Sequence, residues 1–193
     1  MSLLEKRLSN HFMSVNLQLL IKQSQKGNQL AQMQIYDLYC QAMYNVACRY
    51  LNNAEDAKDA MQEAFLKAFF KLGSFEDKTT FGSWLKRIVI NQCLDQRKKQ
   101  RLDLVYEESI NIEQVNDHLE SDATISRKQI ISAIATLKEK YALILKLYLI
   151  EGYDHVEISE ILDIPVKTSR IQLHRGKKLL KEQLKTNLDE TGS

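Results

Sequence analysis

Residues 57–72 read AKDAMQEAFLKAFFKL, and the spacing of their apolar members decides the fold class. Ala57, Ala60, Met61, Ala64, Phe65, Ala68, Phe69 and Leu72 recur every three or four positions, which draws an unbroken stripe down one side of an α-helix. Gly73 follows where a helix C-terminus favours glycine. Upstream, residues 17–51 carry a second pattern of the same period, with Leu30, Ile35, Leu38, Met43, Val46 and Leu51 as its expected core. Downstream, a third helix is predicted from about Thr80 to Arg101, with Phe81, Leu85 and Ile88 on its buried side.

Further along, helices are predicted at about 126–136, 138–150, 154–162 and 167–186. Glu151-Gly152 ends the second of these, and Asp154 with Glu157 has capping-box spacing at the start of the third. Pro165 cannot sit inside a helix and marks the opening of the last. Glycine and proline together number seven of 193 residues, roughly 4% against about 12% in average proteins, too few for the tight turns of a sandwich or barrel. The expected class is all-α. Two helical domains, 14–101 and 124–186, would be joined by a flexible linker at 102–123, where scattered apolar residues keep no period.

Charge follows the same division. Residues 1–101 hold 15 bases and 9 acids, a net of +6, whereas residues 102–123 hold seven acids and no base. Residues 124–193 hold 12 bases and 9 acids, a net of +3. Two basic bodies on an acidic strap point to a polyanion touched at two places, or more blandly to solvated helix faces beside an acidic linker. No run approaches eighteen apolar residues and the first residues lack a signal-peptide core, so no membrane insertion is expected. Cys40, Cys48 and Cys93 are an odd number in apolar settings, as in a reducing cytoplasm. There is no Gly-rich phosphate loop, no Cys-x-x-Cys and no His-Glu-x-x-His, and Cys40 and Cys48 have no paired histidines. An enzyme finds no catalytic residues here, and neither a metal nor a cofactor is expected.

Three helix faces remain. Outside the stripe of residues 57–72 lies a row of acids and large apolar groups, Asp59, Gln62, Glu63, Leu66 and Phe70, of the kind found at protein interfaces. The competing reading packs Leu66 and Phe70 under a neighbouring helix. On the next helix Trp84, Arg87, Asn91, Asp95 and Lys98 share a face that runs into a basic tail, suited to stacking on unpaired bases with phosphate contacts. A lone tryptophan is otherwise a core residue, and Phe75 in the preceding loop is a second stacking platform or a loop anchor. The last helix aligns Ser169, Leu173, Gly176, Leu180 and Leu184 on one side and Lys167, Arg170, Ile171, His174, Arg175 and Lys178 on the other. With the short capped helix before it, this pattern suits a helix-turn-helix in a DNA major groove, where Arg170, Gln172 and Arg175 can read base edges. A merely solvated basic helix is the alternative. Gly176 in mid-helix costs roughly 1 kcal/mol against alanine unless close packing needs it.

These residues resemble a known family. The run Asp59-x-x-Gln62-Glu63-x-Phe65-x-x-Ala68-Phe69, with Phe81-x-x-Trp84-Leu85-x-x-Ile88-x-x-Asn91-x-x-x-Asp95 and Arg97 two further on, is similar to region 2 of bacterial sigma-70-type factors. Tyr153-x-x-x-Glu157-Ile158-Ser159-Glu160-Ile161-Leu162-Asp163-Ile164-Pro165, continuing through Leu173-His174-Arg175-Gly176-Lys177-Lys178-Leu179, resembles region 4. The order and length look like the extracytoplasmic-function subgroup.

The resemblance implies an alternative sigma factor that binds core RNA polymerase through its β′ and β subunits and directs promoter opening. By carry-over, Asp59, Gln62, Glu63, Leu66 and Phe70 would dock on the β′ clamp helices. Ser74, Phe75, Trp84, Arg87, Asn91, Asp95, Arg97 and Lys98 would open the minus-ten element and hold its non-template strand. Lys167, Thr168, Arg170, Ile171, Gln172, His174, Arg175 and Lys178 would read the minus-thirty-five element. The acidic linker would enter the RNA path of the polymerase, and an anti-sigma factor or other recruiting protein is a further partner the family allows. Departures from the family pattern are Asp163 for the turn glycine, Lys167 and Gly176 for glycine and alanine, and Gln172 for a common base. The runner-up is a helix-turn-helix regulator of transcription with an unrelated helical sensor domain.

Overall fold

Asparagines open two of the first long helices. In the computed structural model, which describes residues 16–76, 79–104 and 127–191, helix α1 covers 16–25 and the chain turns at Gly27 (φ 83°). The Asn28 side chain then accepts the Ala31 N–H at 3.1 Å to start α2, Gln29–Ala47. Asn53 accepts the Glu55 N–H at 2.9 Å to start α3, Ala54–Lys71. Glu55 and Asp56 in the first turn of α3 and Lys71 in its last suit the helix dipole. A 3-10 turn at Leu72–Ser74 follows, and α4 runs Phe81–Leu104. Gly73 keeps a right-handed backbone inside that turn and is no left-handed cap; the left-handed glycines are Gly27 and Gly152.

The chain divides into two units, Met1–Gln114 and Val115–Ser193. The core of the first is the predicted stripe of α3 set against Ile35, Met43 and Val46 of α2 and Phe81, Leu85, Val89, Ile90 and Cys93 of α4. Alanines 57, 60, 64 and 68 are buried, and their small side chains let the neighbouring helices approach α3 closely. Two expected core residues lie outside it: Leu30 is 65% and Leu38 57% exposed. Ala31 and Ile35 set the inward phase of α2, which turns their neighbour Leu30 away by about 100°. Ile88 is half-buried, and its neighbours Val89 and Ile90 fill the core in its place. Helix α4 is longer than expected, so 102–104, the first residues of the expected linker, are helical. Positions 105–123 lie outside the described residues.

In the second unit α5 is Arg127–Ala135 and α6 is Glu139–Leu145, continued by a π-helical turn at Lys146–Ile150 that Gly152 (φ 81°) closes. Helix α7, His155–Leu162, has the expected capping box. Asp154 accepts the Val156 and Glu157 N–H groups, and Glu157 accepts the Asp154 N–H at 2.9 Å. Asp163 makes the turn in left-handed geometry (φ 53°, ψ 52°), which aspartate tolerates. Helix α8, Val166–Thr191, lays Ser169, Leu173, Gly176 and Leu180 on Ile144, Leu145, Leu147 and Ile158 of the buried core. All described elements are helical, and no helix among the described residues is long and apolar enough to cross a membrane.

Candidate functional site

The outer row of α3 is exposed along its length. Asp59, Gln62 and Glu63 are exposed, Leu66 is 71% exposed and Phe70 92%, so among the described residues of this unit no helix covers the two apolar side chains. Along its edge, α3 is tied to α4 by polar bonds that the spacing alone does not reveal. Gln100 Nε2 donates to Asp56 Oδ2 at 3.0 Å. Gln92, only 7% exposed, donates from Nε2 to Glu63 and accepts at Oε1 from Lys67 Nζ. The one available signal was a glutamine set in the apolar run 88–94.

The second face is built on rings. Phe75 is buried, with its centroid 5.6 Å from Phe81 and 5.1 Å from Trp84, and Tyr39 adds an edge contact to Phe81 at 5.4 Å. Of its two readings, Phe75 takes that of loop anchor. Trp84 is half-buried, leaning on both phenylalanines while part of its surface stays open. Arg87 is half-buried beside it, and Asn91, Asp95 and Lys98 continue the same face exposed. Arg97 turns elsewhere, donating from Nη1 to the Tyr50 carbonyl at 2.8 Å and so tying α4 to the chain after α2. Ser74 is exposed, with its hydroxyl on the Lys71 carbonyl at 2.7 Å.

The third face is the outer side of α8. Lys167, Arg170, Ile171, His174, Arg175 and Lys178 are exposed, while Thr168 and Gln172 are half-buried at its margin. The other side is locked down. The Ser169 hydroxyl is fully buried, 2.9 Å from His155 Nδ1, and the His155 ring sits 5.3 Å from Tyr148. Lys177 Nζ rests 4.9 Å above that Tyr148 ring, so its charge lies against the unit's own surface. A helix with one side fixed and the other mainly basic can enter a major groove, because its diameter fits the groove and its cations meet phosphates.

Among the described residues no group of three or more His, Cys, Asp or Glu side chains is placed to hold a metal ion. Cys93 is buried and that burial pushes its thiol up to about 12; Cys40 is half-buried. Cys48 is exposed, against the expectation of an apolar setting, because it follows α2 as its C-cap residue.

Comparison with known proteins assigns both units. Residues 35–102 match the family model of sigma-70 region 2, and residues 127–180 that of sigma-70 region 4. The chain is 33% identical over 177 residues to the ECF RNA polymerase sigma factor SigW of Bacillus subtilis, covering 86% of this chain and 95% of the relative. It is 26% identical over 180 residues to the ECF RNA polymerase sigma-E factor of Haemophilus influenzae, covering 86% and 94%. Among solved structures, the sigma factor RpoE of Bartonella quintana, crystallised with the anti-sigma factor NepR, aligns with a TM-score of 0.62 at 22% identity, over 79% of this chain and 96% of that one. CnrH, solved with the cytosolic domain of CnrY, aligns with a TM-score of 0.55 at 22% identity, over 89% and 98%.

Proposed function

Because the chain belongs to the sigma-70 family, in its extracytoplasmic-function group, we propose a division of labour among its three exposed helix faces. Its function is that of a sigma factor: it joins core RNA polymerase and directs promoter recognition and transcription initiation. A helix-turn-helix regulator with an unrelated sensor domain is not favoured, since region 2 accounts for the first unit. The observation that carries the reading is that each family region falls on one unit, in family order.

On this reading the α3 row of Asp59, Gln62, Glu63, Leu66 and Phe70 docks on the β′ subunit. An uncovered phenylalanine beside carboxylates suits a partner that offers an apolar seat rimmed by cations. The face of Trp84, Arg87, Asn91 and Lys98 holds the opened minus-ten strand, with Phe75 shaping the loop from beneath. The outer side of α8 reads the minus-thirty-five duplex. The chain supplies position and charge, the chemistry of RNA synthesis belongs to the polymerase, and the site of action is the cytoplasm. An anti-sigma protein, which one structural neighbour carries, is a proposed class of partner here too.

The test is docking by variants at positions that the core does not use. Asp59→Lys and Phe70→Ala should leave helicity and melting unchanged yet weaken binding to core polymerase at least about tenfold, or about 1.4 kcal/mol. Unchanged affinity in both folded variants removes α3 from the docking role.

A further inference from the structure

Glu63 and Lys67 stand four residues apart on α3, an order in which a glutamate and a lysine ordinarily pair directly across one helical turn. Here the amide of a third residue is threaded between them. Gln92 reaches out of the buried side of α4, gives its N–H to Glu63 Oε2 and takes the Lys67 ammonium on its carbonyl oxygen. Asn91 beside it is exposed, but Ile90, Cys93 and Leu94 are buried apolar groups, so a polar side chain at this depth departs from the pattern of the buried side. A buried amide that satisfies both of its ends on charged groups gains little net stability, because water would serve Glu63 and Lys67 equally well. Its effect is on geometry: each charged end is held by a bond whose other partner is buried.

We propose that Gln92 is a positioning residue for polymerase docking. It holds the Glu63 carboxylate in place on the exposed row of α3 and keeps Lys67 from neutralising it, so that the carboxylate is presented to a cation of the partner. This rests on the assignment of the α3 row as the docking face. A flexible glutamate must lose side-chain freedom when it is captured at an interface, and one already fixed loses less. Deleting the amide should therefore weaken docking even where the fold is undamaged.

The variant to make is Gln92→Leu, which is apolar like its buried neighbours and removes both bonds without burying an unpartnered group, since Glu63 and Lys67 are exposed. Measured with the full chain, its melting temperature should hold or rise while affinity for core polymerase falls about fivefold or more, the ordering cost of one long side chain. A double-mutant cycle with Glu63→Gln supplies the readout that a structural role would not move. If Gln92 acts through the Glu63 carboxylate, Gln92→Leu should add almost nothing to the docking loss of Glu63→Gln, with a coupling about as large as its own fivefold loss. Additive losses, or an affinity that holds or rises in Gln92→Leu, overturn the proposal. Should the leucine variant fail to fold, Gln92→Met removes the same bonds with a more adaptable side chain. If Asp59→Lys and Phe70→Ala weaken docking and Gln92→Leu does not, this inference fails alone. If none of the three does, the docking face itself is wrong.

Discussion

Gly176 shows how one residue can break a propensity rule for a reason that only packing supplies. A Cβ built there would lie 3.2 Å from Leu145 Cγ, 3.3 Å from its Cδ1 and 3.5 Å from Tyr141 Cβ, and Leu145 is itself fully buried. Alanine would gain about 1 kcal/mol of helix propensity but press on the buried Leu145 side chain, which must give by a few tenths of an ångström, and overpacking of this kind costs about 1–3 kcal/mol. Gly176→Ala should therefore lower the melting temperature of the second unit; a rise would mean that α6 yields easily. Cys93 carries a pH signature of the same local kind. Burial holds its thiol at about 12, whereas in the unfolded chain it ionises near about 8.5. Between those values the unfolded state has released a proton that the folded state keeps, so stability is full below about pH 8.5 and falls as pH rises towards 12, by up to about 1.4 kcal/mol per unit. Cys93→Ala, compared by thermal melts at several alkaline pH values, should lose stability less steeply than the parent. An equal slope in both would show that the thiol titrates like an exposed one.

At the scale of the element, periodicity told which face of each helix is buried but not what edges it. The stripe of α3 and the inner side of α8 were legible because eight and five apolar or small residues recur in phase, and tertiary packing follows such a pattern closely. Leu30 and Leu38 were misread because the phase of α2 is set by Ala31 and Ile35, and an alanine is too small to advertise an inward face. The π turn at Lys146–Ile150 gave no signal in composition, nor did the bond by which Arg97 leaves the face of Trp84 for Tyr50. Long polar side chains choose partners distant in sequence, which no local spacing encodes. Lys177 is another case: its seat over Tyr148 sets it apart from Lys178 as a phosphate contact. On α8 the guanidinium fork of an arginine can pair with a base edge, whereas a lysine ammonium is a point charge. Arg170→Ala or Arg175→Ala should cost about 1–3 kcal/mol and relax preference at one upstream position. Lys178→Ala should weaken binding evenly across sequences and lower the salt slope by about one unit. Promoter-library selection with holoenzyme at two salt concentrations separates these, and an equal, sequence-blind loss in all three would leave α8 as an electrostatic clamp.

For the whole molecule, the basic-acidic-basic division of charge foreshadowed the two units, and the family regions fall one on each. Of the expected acidic linker, 102–104 are helical and 105–123 lie outside the described residues. Function was legible as faces without partners, since composition pointed to a polyanion and spacing to an exposed apolar-acidic row. The likeness to regions 2 and 4 then joined those faces into one activity. A DNA-binding regulator and a sigma factor differ in a single respect that can be measured, which is whether promoter recognition requires the polymerase. The direct test adds the purified chain to bacterial core RNA polymerase and maps transcript starts on a supercoiled genomic library. The account predicts initiation at a restricted set of promoters sharing two spaced elements, no initiation there by core alone, and no comparable sequence selection by the chain alone. Specific DNA binding by the free chain, with no stable complex and no new starts when core polymerase is present, would contradict it.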